Sequence, residues 1–316
     1  MEEQSVKQCL RIGTRASQLA LTQSEWVQEQ IQQLLPGVTV ELVRISTKGD
    51  RILDVPLAKI GGKGLFVKEI EEALLAGSID LAVHSMKDVP TVLPDGLHIG
   101  IVPQREEARD AFVSVRYASL EALPQGAVVG TSSLRRKAQL LALRPDLKML
   151  DLRGNVGTRL GKLDNGDFDA IILAGAGLRR LGMQARIAAL LPPEQMLPAI
   201  GQGALGIELR TSDAELLAQL QPLHHSETAV AVAAERAYLA RLEGGCQVPI
   251  GAHASLNQGQ LSLSGLIASV DGTTLLRETY AAPAEEAGRL GRELAEELLG
   301  RGGKMILEAV YQASLS

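Results

Sequence analysis

Apolar positions along the chain switch between two spacings. The short apolar runs Cys9–Thr14, Val38–Ile45, Ile79–Val83 and Leu97–Val102 have the length and branched content of strands. Between them the spacing lengthens to that of a helix. Leu19, Gln23, Trp26, Val27, Ile31 and Leu34 share one face of a predicted helix that Ser17 can cap and Pro36-Gly37 stops. Leu65–Ala76 reads as a second helix with Gly77 at its C′ position. The alternation continues with strands at Ala127–Val129, Lys148–Leu150 and Asp169–Ala174 and helices at Ser133–Leu143 and Val156–Leu163. Strands alternating with helices predict parallel α/β sheets. The C-terminal stretch differs. Ser226–Leu242 reads as a long amphipathic helix, Leu261–Val270 and Thr274–Tyr280 flank the hairpin signal Asp271-Gly272, and Glu285–Leu299 is a further helix. The pattern therefore predicts two α/β domains and a small antiparallel α+β domain. Pro103–Asp110 and Leu191–Gly203 are the predicted crossings between the first two.

Composition narrows the function classes. The 316 residues carry 32 Lys and Arg against 37 Asp and Glu, a net charge of −5, which excludes a strongly basic nucleic-acid binder. One Trp, four Tyr and three Phe leave little for a base-stacking surface. Two cysteines, Cys9 and Cys246, form no CxxC pair, so neither a disulfide framework nor a zinc site is expected. No run of 18 apolar residues predicts a membrane span, and Met1–Leu10 has no apolar core of a secretory signal, so the expected compartment is the cytoplasm.

Four stretches could carry chemistry. His84-Ser85-Met86-Lys87-Asp88-Val89-Pro90 follows a predicted strand, where open α/β sheets bind ligands. A carboxylate there could stabilise a cation or move a proton, although a solvated turn accounts for the same residues. Gly61-Gly62-Lys63-Gly64 lacks the spacer and the hydroxyl residue of a Walker motif, which leaves a glycine loop carrying Lys59 and Lys63. Gly175-Ala176-Gly177 lacks the third glycine of a dinucleotide fingerprint. Thr131–Arg136 and Arg153–Arg159 lie at two predicted strand-to-helix junctions, and residues 131–160 hold seven basic and two acidic side chains. Helix N-termini and guanidinium forks both favour carboxylate or phosphate, so a polyanionic ligand is one reading and a solvated basic face the other. Arg15 and Ser17 repeat the arrangement after the first strand. Finally, Cys246 sits in Glu243-Gly244-Gly245-Cys246-Gln247-Val248-Pro249. A lone cysteine is commonly a small buried apolar residue, but two preceding glycines and a following proline suit an exposed nucleophile. His224 and His225 are read as surface residues.

Seven segments together resemble the porphobilinogen deaminase (hydroxymethylbilane synthase) family: Arg11–Leu21, Leu57–Phe66, Val83–Pro90, Gly130–Arg136, Leu152–Arg159, Ile200–Ala204 and Glu235–Pro249. They occur in the family's order over roughly residues 10–255, and the set is far more specific than any member. The resemblance implies two α/β domains like type 2 periplasmic binding-protein lobes flanking a cleft, 1–103 with 203–221 and 104–202, plus an α+β domain at 222–316 carrying the cofactor cysteine. It implies a transferase that polymerises four porphobilinogen molecules head to tail with release of ammonia, then hydrolyses the product to hydroxymethylbilane in tetrapyrrole and haem biosynthesis. The chain grows on a dipyrromethane cofactor held as a thioether to Cys246.

By the same resemblance Asp88 is the catalytic aspartate, stabilising the cation left when ammonia departs. Ser85, Lys87, Asp88, Thr131, Ser133, Arg135, Arg136 and Arg159 bind the cofactor. Arg15, Ser17, Phe66, Arg153, Arg159, Arg180 and Gln202 bind substrate, and Lys59 and Lys63 lie on a mobile loop. A cofactor plus four added units bears about twelve carboxylates, which accounts for a basic stretch on an acidic protein. A monomer with no metal, nucleic-acid or membrane partner is expected. The competing reading is a non-catalytic two-lobed binding protein for a small polycarboxylate, which needs the arginines but neither Asp88 nor Cys246.

Overall fold

The computed structural model describes residues 8–51, 67–243 and 248–315. These residues divide into two compact units: 8–51, 67–105 and 204–229 in the first, and 106–203, 230–243 and 248–315 in the second. In the first, strands β1 (Cys9–Thr14), β2 (Thr39–Arg44), β3 (Leu81–Ser85), β4 (Leu97–Ile101) and β10 (Leu205–Arg210) form one sheet in the order β2-β1-β3-β10-β4. Helix α1 (Gln18–Leu34) buries Val27 and Ile31 against one face of it. A short helix α2 (Lys48–Arg51) precedes helix α3 (Lys68–Leu75), which buries Ile70 and Leu74 in a core with Ile79 and Ala82 of the other face. Burial of each such side chain contributes roughly 1.5–3 kcal/mol.

The second unit repeats the plan. Strands β5 (Asp110–Val113), β6 (Val128–Gly130), β7 (Lys148–Leu150), β8 (Ala170–Ala174) and β9 (Ala189–Leu191) stack as β7-β6-β8-β5-β9. Helix α4 (Leu134–Leu143) sends Leu140 into one core, and helix α5 (Val156–Asp164) sends Leu160 and Leu163 into the other. The short α6 (Gly175–Arg180) follows β8. Its first glycine belongs to close packing rather than to a nucleotide loop, since a Cβ on Gly175 would lie 3.0 Å from the Arg109 carbonyl oxygen.

The expectation of parallel sheets is corrected in one respect. β10 runs antiparallel to β3 and β4, and β5 runs antiparallel to β8 and β9, so both sheets are mixed. Each odd strand directly follows the point where the chain passes from one unit to the other, at 105/106 and 203/204, and is not the second strand of a right-handed crossover.

Helix α7 (Ala214–Leu220) closes the first unit's core, and helix α8 (Ser226–Arg241) leads to strands β11 (Ile250–Asn257), β12 (Gln260–Ala268) and β13 (Leu275–Pro283). These three form the antiparallel sheet β11-β12-β13, covered by α9 (Ala287–Leu298) and α10 (Lys304–Leu315). The hairpin at Asp271-Gly272 is present: Gly272 has φ 74° and packs so closely on α4 that a Cβ would lie 2.5 Å from the Ala138 carbonyl oxygen. α8 buries Ala231, Val232, Ala234, Glu235 and Tyr238 on one side and exposes Ala233 and Ala240 on the opposite one. His224 and His225 are half-buried rather than surface residues. His224 Nδ1 accepts from Val102 N, and His225 Nδ1 accepts from Thr228 N at the start of α8. Among the described residues no helix is long and apolar enough to cross a membrane, and no cluster of metal-ligating side chains occurs.

Candidate active site

In the first unit the site lies at the carboxyl ends of β1 and β3. β3 runs into a single 3₁₀ turn, Met86–Asp88, which places half-buried Lys87 and Asp88 just beyond the sheet edge. The turn is held where it starts. Met86 N donates to Ala204 O, Val89 N donates to Met86 O, and the Ser85 hydroxyl is within 3.2 Å of both polar atoms of the Gln23 side chain on α1. Arg15, Gln23, Val83, His84, Ser85 and Asp88 line one depression. Ser17 caps α1, its hydroxyl accepting from Ala20 N at 3.4 Å. The structure thus brings Arg15, Ser85 and Asp88 together and gives Ser17 a local role.

In the second unit two helix N-termini carry the cations. Ser133 caps α4 and Asn155 caps α5. The loops leading to them are tied by Ser132, whose backbone neighbour Thr131 donates to Leu150 O and whose hydroxyl bridges to the backbone of Leu152. The Thr131 hydroxyl accepts from Ser133 N at 3.2 Å. Arg135 and Arg136 are 4% and 7% exposed and converge on Asp110, a residue that sequence reasoning missed. Arg135 Nη1 donates to Asp110 Oδ2 at 2.7 Å, and Arg136 Nε and Nη2 both donate to Oδ1 at 3.0 and 2.7 Å. Burial alone would raise the Asp110 carboxyl, but the two guanidiniums outweigh it and hold it well below the usual carboxylate range. Two cations against one anion leave this buried group with a net positive charge.

That charge extends outward. Arg159 donates its Nε to Gly154 O, and among the described residues no carboxylate pairs with it. Burial, with repulsion from Arg136 and Arg153, pushes its pKa down to about 10. Arg180 donates to Gly203 O at 2.8 Å, and burial pushes it down to about 10 as well, against the pull of Glu106. A guanidinium remains charged at neutral pH in either case, and its lowered pKa marks a place where an added anion is favourable.

Gln202, read as a substrate contact, is buried and donates to Ala108 O and to Asp110 Oδ1 at 2.7 and 3.0 Å. It locks the two stretches of chain at 106–110 and 199–203 together. Gly203, at φ 87°, completes that contact, since a Cβ there would lie 2.4 Å from Glu106 O. Glu235, fully buried, receives Gly201 N and Ala254 N and so ties the same stretch to β11. Lys59, Lys63, Phe66 and Cys246 lie outside the described residues. The flanks of Cys246 are anchored, with the Tyr311 hydroxyl donating to Glu243 O on one side and Ile250 N donating to Val248 O on the other.

The comparisons with known proteins decide the family. Residues 10–218 match the model of the porphobilinogen deaminase dipyrromethane cofactor binding domain, and residues 229–300 match the porphobilinogen deaminase C-terminal domain. This chain belongs to the porphobilinogen deaminase family. It is 60% identical over 301 residues to the porphobilinogen deaminase of Syntrophotalea carbinolica, covering 95% of this chain and 96% of that protein. The porphobilinogen deaminase of Syntrophobacter fumaroxidans is 57% identical over 304 residues, 96% of this chain and 98% of that one. Among solved structures, the methionine-binding protein MetQ matches with a TM-score of 0.44 at 17% identity, over 72% of this chain and 95% of that chain. Both porphobilinogen deaminase domains are present in order, and the alternative of a non-catalytic polycarboxylate binder is not favoured.

Proposed function

We propose that this chain carries out the porphobilinogen deaminase reaction with Asp88 as its catalytic carboxylate and with Arg136, Arg153 and Arg159 as the principal seat for pyrrole carboxylates. The reaction joins four porphobilinogen molecules head to tail on a dipyrromethane primer, releases ammonia at each addition and ends in hydrolysis to hydroxymethylbilane. The observation that carries the residue assignment is the cationic group at the N-termini of α4 and α5, which holds one buried carboxylate and an excess of guanidinium.

The donor set fits the dipyrromethane cofactor. Its acetate and propionate groups call for guanidinium forks, helix N-termini and hydroxyls, which Arg136, Arg153, Arg159, Ser133 and Thr131 offer, with Ser85 and Lys87 at the β3 end. Cys246 is the attachment point. When bound, the cofactor supplies the free pyrrole carbon on which the chain starts. Asp88 accepts the pyrrole N–H of the substrate unit, stabilises the cation that develops as ammonia leaves, and takes the proton released from the attacked carbon. Arg135 and Gln202 act through Asp110, holding Arg136 in register. Arg15, Arg180 and Phe66 bind the growing chain, and Lys59 and Lys63 belong to a loop that covers it. The division into 1–103 with 203–221, 104–202 and 222–316 is part of the same reading, as is a cytoplasmic monomer, which light scattering tests.

The decisive experiment is the intact mass of the purified, denatured protein with peptide mapping around Cys246. An excess equal to two porphobilinogen units less two ammonia, localised on Cys246, supports the assignment. An unmodified mass that persists after incubation with porphobilinogen overturns it.

A further inference from the structure

β3 and β10 present a buried acid–base pair to the depression that Asp88 lines. In their antiparallel register Gly206 lies opposite His84 and Glu208 opposite Ala82, so His84 and Glu208 are diagonal neighbours on one face of the sheet. Gly206 adds no side chain there, and a Cβ on it would lie 2.3 Å from Met86 Sδ. His84 Nε2 is 2.8 Å from Glu208 Oε2, and the two residues are 5% and 1% exposed. A carboxylate oxygen only accepts, so Nε2 carries the proton of this bond. Glu71 comes to the pair from α3, is also buried, and interacts electrostatically with both.

The second ring nitrogen is not spent in this way. His84 Nδ1 has no hydrogen-bond partner among the described residues, and the ring lines the same depression as Arg15, Gln23, Ser85 and Asp88. Gln23 and Ser85 are engaged with each other. Buried polar atoms in folded proteins are nearly always hydrogen-bonded. An open nitrogen on a ring held from behind by a carboxylate is therefore placed to accept a proton. On taking it, the ring becomes an imidazolium whose counter-ion, Glu208, is already in contact, which offsets the cost of burying that charge.

The reaction sets one proton free at each addition. The aminomethyl C–N bond breaks and its electron pair leaves on ammonia. A new C–C bond forms from the pyrrole, and the C–H bond of the attacked carbon returns its pair to the ring as the proton leaves. Ammonia and that proton together make ammonium. Asp88, having taken the proton, must give it up before the next addition, and four additions follow one another at the same carboxylate. His84 is the group in the depression with a free site for it.

We propose that His84 is a proton carrier of this reaction and Glu208 its positioning residue: Nδ1 takes the proton that Asp88 collects and passes it to the departing ammonia. The proposal rests on Asp88 being the catalytic carboxylate. It is tested on cofactor-loaded enzyme, with loading read from the intact mass. His84→Ala should lower kcat by at least ~10-fold while KM for porphobilinogen changes little, and added imidazole should restore part of the turnover in proportion to its concentration. His84→Gln fills the place of the ring and can bond to Glu208 but cannot carry a proton, so it should show the same fall without rescue, and it decides the matter if the alanine variant does not fold. Glu208→Gln, which keeps a partner for Nε2 but not the charge, should lower kcat less and leave KM unmoved. A His84→Gln enzyme at the parent rate overturns the proposal. So does a His84→Ala enzyme that imidazole leaves unchanged, or one whose loss is a rise in KM. If Asp88→Asn turns over normally, the failure lies with the Asp88 assignment, because imidazole rescue of His84→Ala still reports proton transfer at His84.

Discussion

The two α/β units share one strand order, β2-β1-β3-β10-β4 in the first and β7-β6-β8-β5-β9 in the second, yet they bury different ionisable groups. Beneath the β3 end the first unit buries two carboxyls and a histidine. At the α4 end the second buries two guanidiniums around one carboxylate, with Arg153 and Arg159 beyond. The same scaffold therefore buries carboxyls and a histidine in one unit and a group with an excess of guanidinium in the other. The difference comes from single residues placed on a shared strand order, His84 on β3 and Glu208 within β10 in one unit, Asp110 at the start of β5 and Arg135 and Arg136 on α4 in the other, so function here follows the site rather than the fold.

The largest test removes the anion on which the second edge is built. Asp110→Asn leaves Arg135 and Arg136 facing each other without a counter-charge, and should destabilise the protein by about 3–5 kcal/mol, read as a lower urea midpoint. Because the Asp110 carboxyl is depressed in the folded protein, its contribution is complete above the ordinary Asp value of 3.8 and is lost as pH falls below it. The gap between variant and parent should therefore close in acid.

On the first edge, Asp88→Ala should lower turnover by at least ~10²-fold while the melting temperature holds. A wild-type rate would remove Asp88 from the chemistry. Next in size, Arg153→Leu or Arg159→Gln should slow chain initiation or elongation by roughly tenfold or more, with a much smaller loss of stability than a core substitution. Mass spectra of the enzyme during turnover would show shorter bound chains. A melting point that falls as far as for a buried Leu→Ala would make these arginines structural instead.

The smallest effect belongs to Glu71. Its carboxyl is raised in the folded state, so the folded protein holds a proton that the unfolded chain releases above the ordinary value of 4.5, and stability drains away as pH rises through the raised value. Glu71→Gln does not titrate, so its melting temperature should gain on the parent's from pH 4 to pH 9. An unchanging difference would mean that the Glu71 carboxyl is not raised in the folded protein.

Much of this was legible along the chain. The helix from Gln18, its Ser17 cap and the hairpin at Asp271-Gly272 follow from local rules: a cap needs one hydroxyl, a turn needs a residue tolerant of positive φ. The direction of β5 and β10 was not legible, because a strand's partners are fixed by where the chain re-enters a unit and not by its own residues. Asp110 and Glu208 were missed for a related reason. Each is a single acid at the edge of or within an apolar run, Asp110 before Ala111-Phe112-Val113 and Glu208 between Ile207 and Leu209, and such a residue tells nothing of its partners until the strands are paired.

The sequence by itself therefore determined the class of the elements whose pattern it marks, such as β1, α1 and β3, and the family, since periodicity and motif order are written in neighbouring residues. Tertiary structure alone decided which charges are spent inside the protein and which are left over. Arg135 and Arg136 look like Arg153 and Arg159 on the chain, but both close on Asp110, and each also donates to a backbone carbonyl that only packing brings to α4, Leu197 O at 2.6 Å and Ile172 O at 3.0 Å. Gln202 likewise turns inward to Asp110, 92 positions away. A charge balance depends on distances through space, and at those separations the chain constrains them only once it has folded.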